Sequence, residues 1–196
     1  MAIGEKSPAK LAGNFVRRKI NQLFSSQNDT VVRAELARLR RGIGKLPGSM
    51  PELWDITMKD LPEILVGKDE KPSYGEWAVY TTLTLFALHQ QGKDLKSQCM
   101  NQEGMFLGKA VRTLIQTSED ENRVKRRFDA AATSNSMEEI AHHLRGLIQL
   151  LKSENIPLDY PKLTEDLYRF QFPEARDNVR LMWGREFYSM QAKSKE

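Results

Sequence analysis

The sequence predicts an all-α protein built as two small helical bundles packed together. Three observations lead there. Apolar residues recur at helical spacing along nearly the whole chain. Capping residues, prolines and glycines punctuate those stretches where helices start and stop. No apolar–polar alternation bounded by hairpin turns occurs anywhere. At 196 residues, with 40% hydrophobic and 29% charged side chains, the chain is long and apolar enough to bury a core.

A first helix is predicted over 11–25, with Leu11, Phe15, Ile20, Leu23 and Phe24 as its buried stripe and Arg17, Arg18 and Lys19 outside it. Asn28 or Asp29 is an N-cap for a second helix over 30–41, which Gly42 and Gly44 should end. The stretch 45–51 holds two prolines and a glycine and reads as loop; short helical pieces follow over 52–57 and 60–66, then a polar loop over 67–73. Residues 75–91 carry Trp77, Val79, Leu83, Leu85, Phe86 and Leu88 around most of the circumference, the pattern of a central helix. After the loop 92–104, a helix over 105–116 buries Met105, Phe106, Val111, Leu114 and Ile115.

Ser118 with Glu121 reads as a capping box opening a helix that runs to about Ala132. Ser136 with Glu139 reads as a second box, before a periodic helix through Ile140, Leu144, Leu147, Ile148 and Leu151. Pro157 and Pro161 bracket a turn, 162–170 is a short helix, and Pro173 fits the first position of the last one. That helix should bury Ala175, Val179, Met182, Trp183 and Phe187, leaving a frayed tail over 191–196. Charge divides the chain. Residues 1–117 carry 17 basic and 12 acidic side chains, whereas residues 118–196 carry 13 and 14. The charge shift and the first capping box place a boundary there: an N-terminal bundle over 1–117 and a C-terminal bundle over 118–196.

A single cysteine excludes a disulfide framework and a cysteine-based zinc site. No apolar run reaches the roughly 18 residues that span a bilayer. The segment Met1-Ala2-Ile3-Gly4-Glu5-Lys6 lacks the apolar core of a secretory signal, so a soluble cytoplasmic protein is expected, with no membrane partner.

Catalysis finds little support. His142 and His143 are adjacent, so on a helix they point about 100° apart and do not share one metal unaided. Cys99 lies in a polar stretch with nothing to activate it. Gly104 and Gly108 do not make a phosphate loop, since no Gly-Lys-Ser/Thr follows: Lys109 is succeeded by Ala110. The pairs Glu119-Asp120 and Glu138-Glu139 sit in first helical turns, where carboxylates complement the helix dipole. No enzyme, no metal and no cofactor is expected.

Nucleic-acid binding finds more. In the run from Val32 to Arg41, Val32, Leu36 and Leu39 form the buried stripe. Arg33 and Arg40 share one flank, Arg38 and Arg41 the other, with the small Ala34 and Ala37 between them. Forked guanidiniums beside alanines let a phosphate backbone approach closely. Arg123, Arg126 and Arg127 repeat the arrangement on another helix anchored by Val124 and Phe128. Aromatics fall at core spacing rather than among these cations, which favours backbone contacts over base stacking.

The ordered set of motifs resembles the CasB family, the small subunit of the type I-E CRISPR surveillance complex Cascade. The set begins with Arg33-Ala34-Glu35-Leu36-Ala37-Arg38-Leu39-Arg40-Arg41-Gly42, a Pro-Gly loop and Trp54. Leu83-Thr84-Leu85-Phe86-Ala87-Leu88-His89, Phe106-Leu107-Gly108-Lys109-Ala110 and Glu121-Asn122-Arg123-Val124-Lys125-Arg126-Arg127-Phe128 follow in order. Leu144-Arg145-Gly146-Leu147-Ile148 and Leu158-Asp159-Tyr160-Pro161 complete it, so the resemblance spans roughly residues 11–190.

The resemblance implies two helical bundles without catalytic activity, and a second copy of the chain alongside. It implies contact with the complex's backbone and large subunits, with crRNA, and with the target and displaced non-target DNA strands in the R-loop. Carried over by position, Arg40 and Arg41 match the first basic block, Arg123, Arg126 and Arg127 the second, and Arg145 a basic position on the next helix. Arg176 and Arg180 on the last helix are weaker candidates. Arg17, Arg18, Lys19 and the 67–73 loop have no counterpart. A helical DNA-binding transcriptional regulator is the alternative; it would need base-reading side chains at the exposed start of a recognition helix.

Overall fold

A computed structural model describes residues 7–189. The start over 1–6, where no secretory signal is expected, and the tail expected to fray over 191–196 lie outside the described residues. Within them the chain is all-α, with no strand; one isolated bridge joins Asn101 to Leu158.

The helices are α1 (Pro8–Ser25), α2 (Asp29–Arg41), α3 (Trp54–Thr57), α4 (Tyr74–His89), α5 (Leu107–Thr113), α6 (Ser118–Thr133), α7 (Met137–Ser153), α8 (Tyr160–Phe170) and α9 (Pro173–Ser189). Short 3-10 turns cover Pro51–Leu53 and Glu63–Leu65. No helix among the described residues is long and apolar enough to cross a membrane.

Local chemistry sets most of these limits. Asn28 caps α2 through Val31 N–H at 3.2 Å, and Ser73 with Glu76 makes a full capping box on α4. The box expected at Ser118 is shifted by one: Thr117 is the N-cap, and its partner is Asp120. Ser136 caps α7 as expected, but Glu139 accepts from Asn135 N–H at 2.8 Å, one residue further out. Helix α8 starts two residues early because Asp159 accepts from Lys162 N–H and Pro161 fits its first turn.

Helix α4 is the axis. It packs on α1, α2, α7 and α8, and its Ala78, Val79, Leu83, Phe86 and Ala87 are fully buried. The boundary expected at 117/118 meets no break in packing. One buried cluster runs from Ala12 to Phe187. Helices from either side of that point pack in pairs: α1 on α8, α4 on α7 and α5 on α9.

Several side chains depart from the predicted pattern; Leu11, Met105, Phe106, Ile115 and Ala175 are half-buried rather than buried. Phe24 is 44% exposed, because α1 ends before anything covers it. Lys19 is buried instead, its ammonium donating to Asp55 O at 3.0 Å and lying over the Phe15 ring. Met182 is 44% exposed, since the buried apolar residues of α9 are Val179, Trp183 and Phe187, on another face. Trp77, expected in the interior, is only half-buried at the edge of a groove.

Glycines make the closest approaches. Gly42 has ordinary helical backbone (φ −75°) at the end of α2, so it is not there for a left-handed turn. A Cβ on it would meet the Tyr80 hydroxyl at 2.6 Å, and that hydroxyl donates to Gly42 O at 3.0 Å, fixing α2 to α4. The left-handed turn belongs to Gly44 (φ +75°).

Candidate nucleic-acid interface

The eight arginines singled out from the sequence fall into three groups. Arg126 and Arg127 are exposed on α6 and make no hydrogen bond or ion pair with any described residue. Two neighbouring acids are taken by other cations. Asp120 pairs with Arg123 at 2.8 Å, and Asp129 with Lys125 at 2.6 Å. Arg145 on α7 is likewise exposed and unpaired among the described residues.

Arg40, Arg41 and Arg123 are partly engaged. Arg41 faces Glu52 across 3.8 Å, with both side chains solvated, a contact worth about 0–1 kcal/mol. Arg40 lies against α4 and donates to Ala87 O at 3.4 Å, near the carbonyl-rich end of that helix. Burial pulls its pKa below the ordinary guanidinium value.

Arg176 and Arg180 are both hydrogen-bonded within the fold. Arg176 donates to Phe170 O at 2.9 Å and lies over the Phe170 ring. Arg180 donates to Ala132 O at 2.6 Å, Ser134 O at 2.8 Å and Asp177 at 3.0 Å. The resemblance offered both as weaker candidates for the interface. The turn from α6 to α7 folds over the face of α9 that carries Arg180, and Arg180 satisfies carbonyls at the end of α6 that no helical N–H reaches.

Helix α2 packs on α4 and helix α6 on α7, so the α4–α7 pair separates the two arginine blocks. Cations missed in the sequence lie on or beside that pair. Lys152 ends α7, donates to Gln91 at 2.9 Å, and has its pKa lowered by burial and then by Arg40 and Lys93. Lys93 is held by Asn155. Lys45, in the loop after α2, lines the same groove as Arg145. A signal for Lys152 was present: seven residues after Arg145, it falls on the same face of α7, about 10 Å further along. Nothing in the sequence alone places Lys45 or Lys93 beside that face.

The histidines do not assemble a reactive centre. His89 is fully buried, with Nδ1 2.9 Å from the Tyr160 hydroxyl, and burial pushes its pKa down to about 4. His142 and His143 lie edge to face with ring centres 5.4 Å apart. Among the described residues no group of three or more His, Cys, Asp and Glu side chains is placed to hold a metal ion. Burial raises the Cys99 thiol pKa, the wrong direction for a nucleophile.

The fold and its surface therefore define an all-α protein that presents exposed guanidiniums from its helices, unpaired among the described residues. The profile of the family described as CRISPR-associated protein Cse2 matches residues 35–188. The crystal structure of CasB from Thermobifida fusca superposes with a TM-score of 0.76 at 32% identity, covering 91% of this chain and 98% of that one. CasB from M. ruber superposes with a TM-score of 0.69, covering 92% of this chain and 96% of that one; at 23% identity it supports the fold alone. Among curated proteins none matches. The chain belongs to the CRISPR-associated Cse2 family.

Proposed function

We propose that this protein is the non-catalytic small subunit of a type I-E Cascade complex. In that role it grips the sugar-phosphate backbone of the crRNA–target heteroduplex and of the displaced DNA strand in the cytoplasm. Its protein partners are the backbone subunits, the large subunit and a second copy of itself. The observation that carries this reading is the membership of the Cse2 family joined to the unpaired Arg126, Arg127 and Arg145 on rigid helices.

The physical demand fits those groups. Opening a duplex for a guide exchanges base pairs of similar stability, so protein–backbone contacts decide the balance. Pairing with the guide supplies the sequence specificity, and the subunit needs only charge in the right place. Lys152, Arg40, Lys45 and Arg145 extend the cationic surface from the end of α2 along α7.

The test is Arg126→Ala with Arg127→Ala in the assembled complex. Melting temperature should stay within about 2 °C, because neither side chain supports the fold. R-loop affinity should fall alike for all target sequences. The slope of log affinity against log salt should flatten by about 0.7 for each lost single-strand phosphate contact. An unchanged affinity and slope would reject the reading. Loss confined to particular targets would favour base readout and the regulator.

A further inference from the structure

A groove of about 400 Å³ opens between α4, α7 and the loop after α2. Its construction is regular. Trp77, Tyr80, Thr81 and Thr84 form one face of α4, and Glu138, Ala141, His142 and Arg145 form one face of α7. Both sets follow the spacing i, i+3, i+4, i+7. Ile43, Gly44, Lys45 and Leu46 close the third side. The volume lies in the range that holds a small organic ligand.

Its chemistry is mixed in a specific way. Tyr80 has spent its hydroxyl on Gly42 O and is buried. Trp77 is the aromatic left half-open, and its indole N–H has no partner among the described residues. Ile43, Leu46 and Leu85 supply apolar wall. Lys45 and Arg145 stand at the groove against a single carboxylate, Glu138.

We infer that this groove takes one unstacked nucleobase of a single strand, with the base against Trp77 and the adjoining phosphates on Arg145 and Lys45. The inference rests on the reading of this protein as a nucleic-acid binder and adds to it a contact to a base. An aromatic face accepts any base, so such a pocket holds a strand in place without reading its sequence. Apolar walls exclude water from the stack, and the two cations balance the charge that a strand brings with it. Glu138 opposes the phosphates, so Glu138→Gln should tighten binding.

The experiment uses the full chain carrying Trp54→Phe. Trp54 is the other exposed indole and Trp183 is fully buried, so quenching then reports on Trp77. The probes are a short oligothymidylate and an abasic strand of the same length, each end-labelled so that affinity is read from the label's anisotropy for every variant, including those without Trp77. Oligothymidylate should quench the fluorescence. Trp77→Leu should weaken its binding roughly 5- to 150-fold with the salt slope unchanged, and Trp77→Phe should restore most of it. The abasic strand should bind the parent protein about as weakly as oligothymidylate binds Trp77→Leu. Arg145→Ala should weaken both strands and flatten the slope.

Equal binding of the two strands, with Trp77→Leu indistinguishable from the parent, would overturn the base pocket and leave the backbone reading standing. The same result joined to poor assembly of the Trp77→Leu protein with the other subunits would mean that a protein side chain fills the groove. Failure of both strands to bind would overturn both readings. Should Trp77→Leu fail to fold, the abasic comparison and Trp77→Phe decide alone.

Discussion

Gly108→Ala is the most informative change to the fold. Gly108 lies on α5 where that helix meets α9. A Cβ there would stand 2.2 Å from Trp183 O and 2.8 Å from both Phe187 N and the Glu186 Cβ. Two of those atoms are backbone, so no rotamer change relieves the contact. Restoring an ordinary 3.4 Å separation requires the helices to part by 1.2 Å at that point. Separation would strain the Gly108 N–H bond to the Glu186 carboxylate, now 3.1 Å, and loosen the layer that buries Leu107, Ala110 and Val111. Overpacking of this kind costs about 1–3 kcal/mol, and backbone clashes place it near the upper end. The gain in helix propensity from Gly to Ala returns at most about 1 kcal/mol. A net loss of about 2 kcal/mol should lower the melting temperature by roughly 4–8 °C in a chain of this size. Gly146→Ala is the control. It is also inside a helix, and its Cβ would meet nothing within 4 Å. That variant should gain about 0.5–1 kcal/mol. Thermal unfolding followed by circular dichroism separates the two. A Gly108→Ala protein melting with the parent, or above it, would refute the close-approach argument.

Three further outcomes follow from buried charge. Arg180→Ala should cost about 1.5–3 kcal/mol by unpairing carbonyls at the end of α6, with the salt slope of R-loop binding unchanged; a flattened slope at unaltered stability would return Arg180 to the interface. His89 has its pKa held at about 4 against an ordinary 6.5, so the unfolded chain binds its proton first and stability falls as pH drops from about 6.5 to 4, by roughly 3 kcal/mol. Urea unfolding of His89→Gln should lose that dependence, whatever its stability at neutral pH. Glu186 runs the other way: burial raises its pKa from 4.5 to about 7, so the folded chain keeps its proton longer and stability falls as pH rises through that window. Glu186→Gln should therefore be the more stable protein above pH 7, and a loss of stability there would contradict the assignment.

The sequence by itself determined the class of fold and where its helices lie, because both depend on neighbours along the chain. Helical spacing in 75–91 announced a helix with no solvated face, and α4 is that central axis. Asn28, Ser136 and Pro173 marked helix starts through bonds or ring geometry reaching only three or four residues. The order of the arginine motifs also pointed to the family. Spacing showed that Arg126 and Arg127 stand off the buried stripe of their helix, the resemblance added Arg145, and the structure leaves all three exposed.

Tertiary structure alone decided what depends on residues far apart in the chain. Arg180 and Arg126 are both helix arginines that entered as interface candidates; one is bonded to carbonyls 46 and 48 residues away, and the other meets no described acid. Lys19 and Trp77 exchanged places, the lysine going inside because Asp55 O awaited it and the tryptophan staying at a groove edge. Gly108 gave no local sign of its role, since the atom that forbids a side chain there is the carbonyl of Trp183. A helix's own sequence fixes which face it turns inward; what its outward face meets is set by the helix packed beside it.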